Sequence, residues 1–273
     1  MSIIKLVEIE YRGITMASQA FDFDGPKGYR LSGRIEGPEA PRAWAIFAHC
    51  FTCGKDSLAA TRTTRALAAR GVGVLRFDFA GLGGSQGKFG DSTFAADVAD
   101  LVAAGQAMAK VGKEPSLLIG HSLGGAASLM AAGMMPNIRA VVTIGAPYDL
   151  KNVLHQFDPA ALEEIEANGQ AEVHLAGRPF FVHKDLIDAL RENDLRSHIT
   201  ALKRPVLVMH APGDDTVYVE NAAHIFAAAK HPKSFISLDD ADHLLTQRRD
   251  ADYVADLIAA WSSRYLPMLS TEN

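Results

Sequence analysis

Apolar and polar positions follow two rhythms along the chain. Residues 3–11 and 29–36 alternate in twos, as half-buried strands do, with Gly25-Pro26-Lys27-Gly28 as a turn between them. They predict a starting hairpin or meander. Beyond the loop Gly37-Pro38-Glu39-Ala40-Pro41 the alternation stops. Ala43-Trp44-Ala45-Ile46-Phe47-Ala48 is an unbroken apolar run, the pattern of a strand buried on both faces of a parallel sheet. Further strands follow at 72–79, 116–121 and 140–147. Helical spacing of Ala and Leu separates them, at 58–70, at 92–110 with a cap at Asp91 or Ser92, and at 124–135 before Pro136-Asn137.

The rhythm breaks near Tyr148. Residues 149–200 are more polar, with charged helical stretches at 160–168 and 184–193 and a short hairpin pattern over 172–182 turning at Gly177. A strand at 204–210, a helix at 219–230, a strand at 234–238 and a helix at 248–265 then restore the alternation. The repeated β–α order predicts an α/β protein with an open, mostly parallel, doubly wound sheet of about eight strands. Residues 1–148 and 201–273 form its core, and 149–200 are inserted as a small cap over the cleft. The alternative is an elaborate connection that touches no ligand.

Composition narrows the classes. Of 273 residues 48% are hydrophobic and 22% charged, ordinary for a soluble domain with a sizeable core. A net charge of -5 argues against a nucleic-acid partner. No apolar run is long enough to span a bilayer, and the charged start lacks a signal-peptide core. Two cysteines, Cys50 and Cys53, exclude a disulfide framework, and a cytoplasmic location is the simple expectation.

The candidate chemistry centres on Gly120-His121-Ser122-Leu123-Gly124. An apolar strand leads into this G-x-S-x-G pattern and a helix follows, which is the context the motif requires. A nucleophile at the end of a buried strand needs a sharp turn, and glycines on either side leave room for it. A serine hydroxyl also needs a base, and the base an orienting carboxylate. Asp214, four residues after the strand-end His210 and three before Val217, is preferred over Asp215, which reads as a solvated or capping carboxylate. Of ten histidines, His243 follows the last strand and is the candidate base. The N–H groups of Leu123 and Phe51 are the candidate oxyanion donors. His49, Cys50, Cys53 and His121 are placed around the pocket in supporting roles. The Cys50-x-x-Cys53 spacing also suits a redox pair at a loop leading into a helix, but two thiols alone do not make a zinc site. No metal or cofactor is expected. The Gly-rich loop Ala80-Gly81-Leu82-Gly83-Gly84 has the wrong spacing for a phosphate cradle.

These residues resemble the α/β-hydrolase superfamily over nearly the whole chain. The Gly-His-Ser-Leu-Gly elbow, Asp214 and His243 carry the resemblance, and Asp78-Phe79-Ala80-Gly81-Leu82-Gly83 is similar to the superfamily's D-x-x-G-x-G loop. His49-Cys50-Phe51-Thr52-Cys53 with Ala241-Asp242-His243-Leu244-Leu245 resembles more closely the hydrolase half of bacterial proteins fused to an OsmC-like domain. His49-Cys50 departs from the His-Gly of many relatives. The resemblance implies an α/β-hydrolase fold and cofactor-free serine ester hydrolysis, with an OsmC-like protein as a partner. A charged cap favours small, short-chain esters. A peptidase, amidase or thioesterase would use the same triad, and a ligand receptor retaining the pocket is the non-enzymatic alternative.

Overall fold

The computed structural model describes residues 6–11, 13–50, 52–175 and 177–266. Its strands are β1 (Leu6–Tyr11), β2 (Ile14–Ala20), β3 (Phe23–Asp24), β4 (Arg30–Leu31), β5 (Gly33–Gly37), β6 (Ala43–Ala48), β7 (Val72–Phe77), β8 (Pro115–His121), β9 (Ala140–Ile144), β10 (Gln170–Leu175), β11 (Arg178–His183), β12 (Val206–His210) and β13 (Lys233–Ser237). The helices are α1 (Leu58–Ala68), α2 (Phe94–Lys110), α3 (Leu123–Met134), α4 (Pro159–Asn168), α5 (Lys184–Glu192), α6 (Leu195–Ala201), α7 (Glu220–Ala228) and α8 (Arg248–Ser262).

Nine strands form one sheet in the order β1-β2-β5-β7-β6-β8-β9-β12-β13. The β1, β2 and β5 pairings are antiparallel, and everything from β7 to β13 is parallel. The mainly apolar stretches became the central strands: every residue of β7, β8, β9 and β12 is buried. Helices cover both faces. α1 and α8 close one apolar cluster, with Leu67, Val254 and Ile258 against Phe47, Val74 and Ile119. α2, α3 and α7 close the other, with Leu101, Leu129 and Ile225 against Ile46, Leu118 and Val208. No helix among the described residues is long and apolar enough to cross a membrane.

The amino-terminal expectation needs correcting. β1 pairs with β2, which the alternation did not single out, through a turn where Gly13 has φ 77°. The Gly25–Gly28 turn closes only the two-residue ribbon of β3 and β4. Glycine at a positive φ made the tighter connection, and the looser pattern of residues 14–20 hid a strand. The cap of α2 is Thr93, whose Oγ1 accepts from Ala96 N at 3.2 Å, rather than Asp91 or Ser92.

Between β9 and β12 the chain forms a 3-10 turn (Leu150–Gln156), α4, the β10–β11 hairpin, α5 and α6. Ile165, Val173, Val182, Ile187 and Leu190 extend the α2–α3 cluster, so this segment is packed on the domain rather than hung from it. The hairpin rests on Phe89–Asp91. The Phe89 and Phe180 rings stand 4.6 Å apart, and His183 Nδ1 lies 3.3 Å from Asp91 Oδ1.

Candidate active site

β8 ends at His121 and α3 begins at Leu123, so the turn between them is the single residue Ser122. Its backbone sits at φ 55°, ψ -127°, a conformation costly for a residue with a Cβ. Neighbours hold it there: Ser122 N donates to Ile144 O at 2.8 Å, and Gly125 N donates to Ser122 O at 2.8 Å. The flanking glycines are required by contact. A Cβ on Gly120 would lie 2.2 Å from Gly124 O, and one on Gly124 would lie 2.4 Å from the carbonyls of both Ala48 and His49. The elbow is thus pressed against the end of β6, where the loop carrying the second candidate donor begins. Leu123 N opens α3, and the first N–H groups of a helix have no partner within it.

Asp214 and His243 come from the loops after β12 and β13. Asp214 Oδ2 lies 2.7 Å from His243 Nδ1. Its Oδ1 accepts from Thr216 N at 3.0 Å and Val217 N at 2.8 Å, so the loop grips the carboxylate. Burial pushes the Asp214 carboxyl up, but the hydrogen bond and charge of His243 and the two backbone donors outweigh it and hold the group below its usual range. An ionised carboxylate only accepts, so His243 Nδ1 is the donor in this hydrogen bond. Asp215 is exposed, and among the described residues it accepts only from its neighbour Thr216 Oγ1, at 3.3 Å. Among the described residues no hydrogen bond reaches Ser122 Oγ; in free enzymes such bonds are commonly loose.

His121 ties the elbow to His243. Its Nε2 donates to the His243 carbonyl at 2.6 Å, and the two rings lie 5.1 Å apart. Burial, reinforced by the neighbouring His243, lowers its pKa to about 3, so it is a neutral strut and not a second base. His210 Nε2 donates to Val217 O at 2.6 Å and stiffens the Asp214 loop from within. His49 Nδ1 donates to Cys50 O at 2.8 Å, and burial lowers its pKa as well.

Phe51 lies outside the described residues. Cys50 and Cys53, expected as a pair of pocket thiols, are joined in a disulfide with Cα atoms 5.3 Å apart, which closes one turn and is no framework. Among the described residues no group of three or more His, Cys, Asp or Glu side chains is arranged to hold a metal ion.

Two features escaped the sequence reading. Gly145, at φ 56°, runs beside the Asp214–His243 pair; a Cβ there would lie 3.2 Å from Asp214 Oδ2 and 3.3 Å from His243 Nδ1. The second is a buried ionic network under the loop after β6. Asp78 accepts from Lys55 N and Lys55 Nζ, both at 2.6 Å, and from Gly84 N at 2.8 Å. Arg76 donates to Lys55 O at 2.6 Å, Asp56 Oδ1 at 2.5 Å and Glu36 Oε1 at 3.0 Å. A charged residue inside an otherwise apolar strand was the signal for it.

Residues 45–257 match the model of the alpha/beta hydrolase family. The crystal structure of the esterase domain of a Rhodothermus marinus protein superposes with a TM-score of 0.76 at 43% identity, covering 92% of this chain and 99% of that one. Est1E from Butyrivibrio proteoclasticus with ferulic acid bound superposes at 0.77 with 20% identity, covering 90% and 99%, a likeness of fold alone. Among curated sequences, the uncharacterized protein RP471 of Rickettsia prowazekii (strain Madrid E) is 30% identical over 145 residues, 50% of this chain and 57% of that protein. YfhR of Salmonella typhi is 25% identical over 189 residues, 65% and 57%. The chain thus spans 57% of the length of each of these two relatives.

Proposed function

Because the chain belongs to the alpha/beta hydrolase family, we propose that it is a serine hydrolase cleaving carboxylic esters, short acyl esters above all, through Ser122, His243 and Asp214. The observation that carries this reading is the 2.7 Å contact between Asp214 Oδ2 and His243 Nδ1, formed beside a serine held at positive φ. The 43% identity to the Rhodothermus marinus esterase domain supports ester chemistry over other uses of the fold.

In this mechanism His243 Nε2 takes the Ser122 proton as Oγ attacks the ester carbonyl. The N–H groups of Leu123 and Phe51 receive the developing oxyanion, in a dry site where such donors are strong. Asp214 stabilises the imidazolium and keeps its tautomer. The protonated His243 then gives its proton to the leaving alcohol. Water, activated by the same imidazole, releases the acyl group. His121 fixes the backbone of His243 throughout.

Residues 149–200 act as the cap. Their outer surface is charged: Lys184 and Arg191 pair with Glu166 and Asp188. A charged cap rather than an apolar entrance favours short, soluble esters.

A panel of p-nitrophenyl acetate, butyrate and octanoate tests the reading. The wild type turns over acetate and butyrate fastest, and Ser122→Ala lowers kcat by at least about a thousandfold while remaining folded. A fluorophosphonate probe labels the wild type and not the variant. Equal turnover by both proteins would refute the assignment. Inclusion of an amide and a thioester of the same acyl group separates an esterase from an amidase or thioesterase.

A further inference from the structure

We propose that Cys50–Cys53 is a thiol–disulfide exchange site whose redox state sets the reactivity of Ser122. The proposal rests on the esterase reading above and names a control of that same site.

The chain has two cysteines, and both lie in the loop between β6 and α1. Their disulfide closes a turn that is also closed by Cys53 N donating to Cys50 O at 3.1 Å. The Cys50 carbonyl further accepts from His49 Nδ1 at 2.8 Å. Phe51, the second oxyanion donor in the proposed mechanism, lies between the two cysteines in the sequence. The loop is not remote from the nucleophile, because Gly124, two residues after Ser122, packs on the carbonyls of Ala48 and His49. Oxyanion donors work by being fixed before the charge develops. A covalent ring around one of them supplies such fixing.

The two sulfurs are unequal. Cys50 is 7% exposed, whereas Cys53 is only half-buried. An incoming thiolate therefore reaches Cys53 first. The downstream part of the loop is anchored independently by Lys55 on Asp78. Opening the disulfide frees the turn at residues 50–53 without releasing the whole loop.

The co-reactant is a small dithiol. One of its thiolates attacks Cys53 Sγ, the Cys50–Cys53 bond breaks, and Cys50 leaves as a thiolate and takes a proton. The second thiolate of the reagent then attacks its own sulfur in the mixed disulfide. Cys53 is released as a thiolate and protonated in turn. Two electrons and two protons pass to the protein, and the dithiol becomes a cyclic disulfide.

The test compares oxidised and dithiothreitol-reduced enzyme after removal of reagent, with thiols counted by alkylation and mass spectrometry. Reduction is expected to lower kcat for p-nitrophenyl acetate by about tenfold or more, within the about 100- to 1000-fold that loss of an oxyanion donor costs. KM stays within about twofold, since the donor acts on the transition state. Reoxidation restores kcat. The Cys50→Ser, Cys53→Ser double variant is slow from the start and ignores dithiothreitol. Equal kcat in the two redox states overturns the proposal even if reduction lowers Tm, because a mere staple does that; a double variant as fast as wild type overturns it equally. Hydrolysis in neither state would sink the esterase reading instead. The exchange site is then judged by amide hydrogen exchange of residues 52–57: faster exchange on reduction supports it and unchanged exchange ends it.

Discussion

Asp78→Ala removes the anchor beneath the loop after β6 while touching none of the groups proposed to react. The carboxylate is 2% exposed and accepts from Lys55 N, Lys55 Nζ and Gly84 N. It is enclosed so closely that a Cβ on Gly83 would lie 2.3 Å from its Oδ2, and one on Gly54 2.9 Å from its Oδ1. Breaking a buried ion pair from one side costs about 3–5 kcal/mol. Two backbone donors are stranded as well, each worth about 1–3 kcal/mol if water cannot reach them. Lys55, with its side chain 13% exposed, recovers part of its hydration, and water entering the space left by the carboxylate reaches the two amides, so only the low end of the pair cost remains, about 3 kcal/mol. Against a total stability of about 5–15 kcal/mol the protein remains folded. Tm falls by about 6–12 °C, at about 2–4 °C per kcal/mol for a domain near this size.

Asp78→Asn keeps one oxygen for the Lys55 amide and should lose about half as much. Urea unfolding gives the stabilities. A double-mutant cycle with Lys55→Met isolates the pair, with a coupling energy of about 1–3 kcal/mol expected. Kinetics supply the second readout: a loosened donor loop lowers kcat by about tenfold with KM unchanged. If Asp78→Ala is as stable as wild type within about 0.5 kcal/mol, or the cycle gives no coupling, the account of a buried anchor is wrong.

The remaining predictions concern Gly145 and pH. Gly145→Ala adds a methyl 3.2 Å from Asp214 Oδ2 at a φ of 56°, so stability should drop by about 1–2 kcal/mol from backbone strain, and kcat should fall with it; an unchanged kcat would mean that this contact is loose. His49, His121 and His210 are buried and held below 6.5, His121 to about 3. The unfolded chain takes up these protons first as pH falls, so their contribution is complete above pH 6.5 and shrinks below it, each by up to about 1.4 kcal/mol per pH unit. Asp97 and Asp100 act in the opposite sense: desolvation raises them from 3.8 to about 8 and about 6, the nearby Asp100 adding to the rise at Asp97. Their contribution is complete below pH 3.8 and is lost as pH rises through those values. Chemical denaturation against pH should show stability rising toward pH 6.5 and declining again toward 8, and Asp97→Asn should remove that decline. A decline that persists in Asp97→Asn assigns it elsewhere.

The candidates Ser122, Asp214 and His243 could be picked out because the β–α alternation places each on a loop after a strand. A loop after a parallel strand opens at the carboxyl edge of the sheet, so three residues on three such loops share one edge whatever their separation along the chain. Asp214 could even be told from Asp215, since the strand-end His210 and apolar Val217 set the register of the loop. The supporting parts obey a different logic. Arg76 announces itself, being a charge inside Val72–Phe77 that is buried with the rest of the strand. Such a residue requires a buried counter-charge, so a partner was implied. Its identity was not. Glu36 pairs with Val74 in register, two residues from Arg76 and therefore on the same face of the sheet. That proximity exists because β5 lies beside β7 instead of beside β6, which follows it in the chain. Gly145 is hidden for the same reason: its closeness to Asp214 and His243 depends on which loops meet over the sheet, and alternation carries burial but not neighbourhood. A lone charge in an apolar run thus fixes the existence of a partner from one strand alone, while the partner's name depends on the crossover that sets the strand order.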